Sequence, residues 1–185
     1  VIEASGGEVR LERTVCGVEI LEDGVLVKVK DRAGNVTEEH FDHVVSTIPL
    51  GRLVQITTPK APDEVLTAAK GLEFRSVITA NIMLEREQVT PDTWLYVHDE
   101  SIGFARIHEP KNWSPDMVPK ATQTSVVTEW FCSEGDEVWQ LPDEEIVRQT
   151  VGHLADDLGF IDRREVIDGL VLRARHAYPV YSIDY

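Results

Sequence analysis

Between residues 74 and 132 four segments follow one another, FRSVITANIML, TWLYVH, GFARIHE and TSVVTEWFC, each rich in β-branched and aromatic residues, with loops rich in Pro and Asp between them. Four strands in series call for an antiparallel sheet. A last strand, VIDGLVLRARHAYPV, is stopped by Pro179, since proline cannot donate to a ladder. Between these strands, PDEEIVRQTVGHLADDLG opens on acidic residues, carries Ile146, Val147, Val151, Leu154 and Leu158 at helical spacing, and closes at Gly159; it is the clearest helix in the chain. APDEVLTAAKG is a second, shorter helix, with Pro62 near its first position, Asp63 and Glu64 in its first turn and Gly71 as its stop. This part is read as an α+β unit with its helices on one face of the sheet.

The region before residue 57 has a different pattern. Residues 9 to 48 read as a meander of VRLER, TVCGVEILEDG, VLVKVKD, VTEEHF and HVVSTI, and VLVKVK alternates apolar with charged residues as a strand with one wet face does. Glu22-Asp23-Gly24 and Ala33-Gly34-Asn35 supply turns. In HVVSTI, Val44, Val45 and Ile48 do not alternate with charge, which predicts a strand buried on both faces and ended by Pro49. Two domains follow from this, residues 1–56 and 57–185.

With 33 acidic against 18 basic residues the formal net charge is −15, which opposes binding to a nucleic-acid backbone. No apolar stretch approaches membrane-spanning length, and the first residues lack the pattern of a signal peptide, so a cytoplasmic protein without a membrane partner is expected. The chain opens in mid-pattern at Val1 and reads as a piece of a longer protein. Cys16 and Cys132 are too far apart, and too isolated from other ligands, to predict a disulfide framework or a zinc site. His40 and His43 lie three apart on a strand and so point to opposite faces; no metal site is expected. The acidic runs at Glu22, Asp99 and Asp143 read as turn and helix-start residues.

Some residues do point to a site. Arg173 and Arg175 share one face of the last strand and suit either an anion or a salt bridge to a nearby carboxylate, and the salt bridge is the expectation. Arg106 follows Phe104 and Ala105 in a strand, and a partly desolvated guanidinium needs an anionic partner, either a protein carboxylate or a ligand group. WSPDMVP and AYPVYSIDY combine Trp, Tyr and Pro, which build rigid walls with polar tips.

Taken together, VRLERTVCGVEI with FDHVVSTIPL, then ARIHEPKNWSP, TSVVTEWFCSEGDEVW and AYPVYSIDY, resemble the FAD-dependent amine oxidase superfamily, in its UDP-galactopyranose mutase-like and protoporphyrinogen oxidase-like branch. The resemblance implies a β-meander from a FAD-binding domain joined to a substrate domain similar to the C-terminal domain of FAD-linked reductases. It implies that the Val15 backbone contacts the adenine of FAD and that Thr47, Ile48 and Pro49 pass close to the cofactor. It also places Arg106 and Tyr178, with Tyr181, against a small-molecule substrate, and Arg106 would receive an anionic group of it. Thr128 stands where the mutase pattern has an arginine that holds a diphosphate. No G-x-G-x-x-G fingerprint is present, so the cofactor and the remainder of the flavin domain belong to the intact protein, and the fragment alone is expected to be inactive. The implied function is the substrate-binding portion of a flavin oxidoreductase. A nucleotide-sugar mutase and a non-catalytic binding or assembly module are the alternatives.

Overall fold

A computed structural model describes residues 2–181. The chain forms two compact units that divide between Leu72 and Glu73. In the first unit, β1 (Thr14–Leu21), β2 (Gly24–Lys30) and β3 (Val36–Phe41) form an antiparallel meander. The β1–β2 turn rests on Gly24, whose φ of 150° would place an added Cβ 2.5 Å from the Phe41 carbonyl oxygen. The β2–β3 turn is closed by Asp31, which accepts from the Asn35 backbone N–H at 2.9 Å.

A short helix, α1 (Leu50–Ile56), follows Pro49 and leads into β4 (Thr57–Thr58), which joins the free edge of β1 in parallel, giving the order β3-β2-β1-β4. The helix read at 61–71 is α2 (Asp63–Gly71). It packs on α1 within the first unit, where Gly51 allows the approach: an added Cβ would lie 2.8 Å from the Ala69 carbonyl oxygen. This helix was expected with the sheet from residue 57 onward; it lies on the first-unit side of the division.

Two further expectations for this unit fail. VRLER is not a strand; Glu12 has a φ of 60°, and Arg10 is held through its side chain by Glu8 (2.8 Å) and Glu39 (2.5 Å) rather than by a ladder. HVVSTI is neither a strand nor buried: residues 43–47 have no ladder partner among the described residues, and Val45 is 92% exposed. An all-apolar strand is buried only when neighbours flank it on both sides, and those neighbours are not supplied by residues 2–181.

The second unit is α+β. Its strands β5 (Phe74–Leu84), β6 (Trp94–Tyr96), β7 (Arg106–His108), β8 (Thr124–Cys132) and β9 (Val166–Pro179) form one antiparallel sheet in the order β6-β7-β8-β5-β9. A single turn, α3 (Glu137–Gln140), precedes α4 (Asp143–Gly152), which runs on as a π-helical turn over His153–Asp157. Chain reversal follows at Gly159, with φ of 65°. The stripe predicted for this helix is its buried face: Ile146, Val151 and Leu154 pack with Ile78, Ala80, Ile82, Trp130 and Val171 of the sheet. Each fully buried aliphatic side chain there contributes about 1.5–3 kcal/mol over leaving it in water. The last strand's arginines are explained by the helical side: Arg173 pairs with Asp143 and donates to the Leu141 carbonyl, and Arg175 lies 3.8 Å from Glu134.

Candidate functional site

Side chains alternate across a strand, so residues paired between strands share a face. Ile78, Ala80 and Ile82 of β5 and Thr128, Trp130 and Cys132 of β8 are committed to the helix-covered face. The alternate residues therefore occupy the other face. Reading the registers across the sheet, Tyr96 pairs with Arg106, Arg106 with Glu129, Glu129 with Thr79 and Thr79 with Leu172. The adjoining row is Trp94, His108, Val127, Asn81 and Leu170. Each row crosses four inter-strand gaps, roughly 19 Å.

Arg106 and Glu129 are thus direct cross-strand neighbours, and the guanidinium finds a protein carboxylate. Arg106 Nη1 lies 3.2 Å from both Glu129 oxygens and donates to the Tyr178 hydroxyl at 3.0 Å; that hydroxyl in turn donates to Glu129 Oε2 at 3.1 Å. The pair is largely buried, with 17% of the Arg106 side chain and 8% of the Glu129 side chain exposed. The guanidinium carbon sits 5.2 to 5.8 Å from the ring centres of Trp94, Tyr96, Phe131 and Tyr178. Burial alone would lower the Arg106 pKa; the Tyr178 hydrogen bond and the Glu129 charge outweigh it and hold the value above that of a free arginine.

His108 shares the face, its ring 5.0 Å from that of Trp113, and its Nδ1 stops 3.6 Å from Glu129 Oε1, too far for a hydrogen bond. That nitrogen is buried and unpartnered, as is Arg106 Nε. Burial pushes His108 below the ordinary histidine value despite the pull of Glu129.

The loops beneath are fixed by two charged residues. Glu109, fully buried, accepts from the Val89 and Thr90 backbone N–H groups and from the Thr124 hydroxyl. Lys111 Nζ donates to the carbonyls of Glu87, Ala121 and Gln123. On the same open face a cavity of about 470 Å³ is lined by Asn81, Met83, Met117, Ser125, Ile167 and Leu170 among others.

Of the residues singled out from sequence, Arg106 and Tyr178 are brought into contact. Tyr181 lies beyond the end of β9 with 78% of its surface exposed, and the final SIDY of the aromatic tail falls outside the described residues. Thr128 points to the other side of the sheet, fully buried, and accepts from the Trp130 indole at 3.2 Å, so an arginine there would lie in the helix-covered core. In the first unit, Val15 lines a cavity of about 620 Å³ with Arg13, Val27, Val29 and Phe41. β1 meets β4 at Val18 and Glu19, and among the described residues no strand lies on that side of its edge over Thr14–Gly17. Thr47, Ile48 and Pro49 form the irregular approach to α1. Among the described residues no helix is long and apolar enough to cross a membrane, and no cluster of potential metal ligands is found.

Glu129, Trp94, Tyr96 and His108 were not singled out from the sequence. Their signal was parity: Trp94 and Tyr96, and likewise Arg106 and His108, sit two apart in short strands, and Glu129 is the one acid in an otherwise apolar and hydroxylic strand.

The model of the family described as flavin containing amine oxidoreductase matches residues 2–181. No curated protein matches the chain. Among solved structures it is similar to reduced UDP-galactopyranose mutase, with 18% identity, a TM-score of 0.57, and coverage of 90% of this chain and 34% of that one. It is also similar to a redesigned putrescine oxidase triple mutant (16%, TM-score 0.55, 91% and 36%) and to an oxidoreductase from Methanosarcina mazei (15%, TM-score 0.53, 94% and 40%). At these identities the likeness is one of fold, and the chain spans little more than a third of the length of those structures. The chain belongs to the flavin-containing amine oxidoreductase family.

Proposed function

We propose that the chain is the substrate-binding portion of a FAD-dependent oxidoreductase. In this reading the second unit walls the cavity above the flavin, and the first unit goes with the flavin-binding domain. The observation that carries it is the asymmetry of the five-stranded sheet. One face is sealed by α4; the other presents Trp94, Tyr96 and Tyr178 around a charge-paired Arg106 and leaves those rings open. Broad exposed apolar faces mark ligand or partner sites, and amphipathic aromatics around a few placed polar groups suit a small-molecule cavity.

FAD, when bound, supplies the hydride acceptor. The chain's own residues fit its adenine end: among the described residues the Val15 segment of β1 has an edge without a strand partner, next to a cavity whose lining mixes valines with Arg10, Arg13 and Glu39. Thr47, Ile48 and Pro49 are proposed as the approach to the cofactor. No glycine-rich phosphate loop occurs in the 185 residues, so the pyrophosphate seat is assigned to other polypeptide and the fragment alone to an inactive state. Glu129 already neutralises Arg106, so Arg106 here fixes the Tyr178 ring rather than receiving a substrate anion. A mutase reading needs free cations for a diphosphate. Arg106 is taken by Glu129, and Thr128, at the mutase arginine position, faces the core.

The test is made on the intact protein. It should purify with flavin absorbance, and Tyr96→Ala, a change at an exposed ring, should weaken substrate binding while flavin content is unchanged. An intact protein that stays colourless after addition of FAD contradicts the reading and favours a binding module.

A further inference from the structure

The four arginines on the strands of the second unit are not equivalent. Arg106, Arg173 and Arg175 each face a carboxylate, those of Glu129, Asp143 and Glu134. Arg75 faces none among the described residues, in a chain with 33 acidic and 18 basic residues. It is exposed, and its guanidinium lies over the Phe131 ring, 5.7 Å from guanidinium carbon to ring centre. Phe131 also meets Tyr178 in a tilted ring contact at 5.4 Å and lies 5.6 Å from the Arg106 guanidinium. Arg75 pairs directly with Tyr178 across β5 and β9. Among the described residues it is therefore a cation without a carboxylate, held by an aromatic ring at the margin of the open aromatic face.

We propose that Arg75 is the anion anchor of this face, and that it selects a flat, apolar ligand bearing a carboxylate. The inference rests on the substrate-wall reading and names the substrate class. A cationic ligand is disfavoured because two guanidinium groups, those of Arg75 and Arg106, already stand at this face. A purely neutral ligand would leave Arg75 unused. A dianionic phosphate calls for a second free cation, and Arg106 is occupied by Glu129. One guanidinium fork matches one carboxylate, with two parallel N–H donors to two oxygens. The apolar body then lies on the Tyr178 and Tyr96 rings, which are 38% and 58% exposed.

Four probes sharing one ring system test this by equilibrium dialysis against the intact, flavin-loaded protein at neutral pH: 2-naphthoate, 2-acetonaphthone, 2-naphthyl phosphate and 2-naphthylmethylammonium. The expected result is that 2-naphthoate binds at least about tenfold more tightly than each of the others. Arg75→Gln should erase that preference, Arg75→Lys should retain part of it, and neither should move the thermal midpoint, since the side chain is exposed. Tightest binding of the ketone, phosphate or ammonium, failure of all four to bind, or a naphthoate affinity unchanged in Arg75→Gln, each overturns the proposal. Flavin content of the intact protein is a separate readout: an uncoloured protein counts against the oxidoreductase reading, and the same dialysis on it judges Arg75.

Discussion

Glu129 holds the open face together, because the Arg106 guanidinium and the Tyr178 hydroxyl both bond to its carboxylate. Removing it leaves the Arg106 guanidinium buried without compensation, so Glu129→Ala should destabilise the protein by about 3–5 kcal/mol in urea denaturation. All four tryptophans lie in the second unit, which makes their fluorescence the natural readout. Replacing both partners with apolar residues, Arg106→Met with Glu129→Leu, should cost clearly less than Glu129→Ala, because no orphaned charge remains; an additive double mutant would mean the pair is not coupled. His108 gives a pH signature. Its folded pKa is lowered from an ordinary 6.5, so above that value both states are neutral and the residue adds no pH dependence. As pH falls below 6.5 the unfolded chain takes up the proton first, and stability drops until the lower folded value is reached. His108→Gln should therefore flatten the loss of thermal midpoint between pH about 7.5 and about 5.5. An unchanged pH dependence would show that His108 is not held neutral by its surroundings.

At the scale of elements, the strands and the main helix of the second unit were legible because their patterns are local. FRSVITANIML, TSVVTEWFC and VIDGLVLRARHAYPV are β5, β8 and β9, and the stripe of Ile146, Val151 and Leu154 is the buried side of α4. HVVSTI was misread because burial of an apolar strand depends on neighbours that its own residues do not encode. VRLER was misread because Arg10 satisfies its charge through side-chain pairs while Glu12 breaks the extended path. Within the site, Arg106 and Tyr178 could be nominated by residue type. Their shared face and the Glu129 link required the register, which sequence periodicity leaves open. The contact of α4 with β9 depends on Gly169, where an added Cβ would stand 2.5 Å from Val147 Cγ1. Val147 is β-branched and has few rotamers with which to give way, so Gly169→Ala should cost about 1–3 kcal/mol. A thermal midpoint equal to that of the parent would show that α4 shifts without penalty.

At the scale of the whole molecule, the chain is strongly acidic, has an α+β second unit with one sealed and one open sheet face, and belongs to a flavoprotein family. These features support the proposed wall for a small molecule, and a charge of −15 repels the phosphates of nucleic acid. The most direct test is a crystal structure of the intact flavoprotein with ligand bound. It should show the ligand lying between the isoalloxazine ring and the rings of Tyr96 and Tyr178, with the Arg106–Glu129 pair intact behind them. A flavin bound elsewhere, with this face packed against other polypeptide and no room for a ligand, would contradict the account.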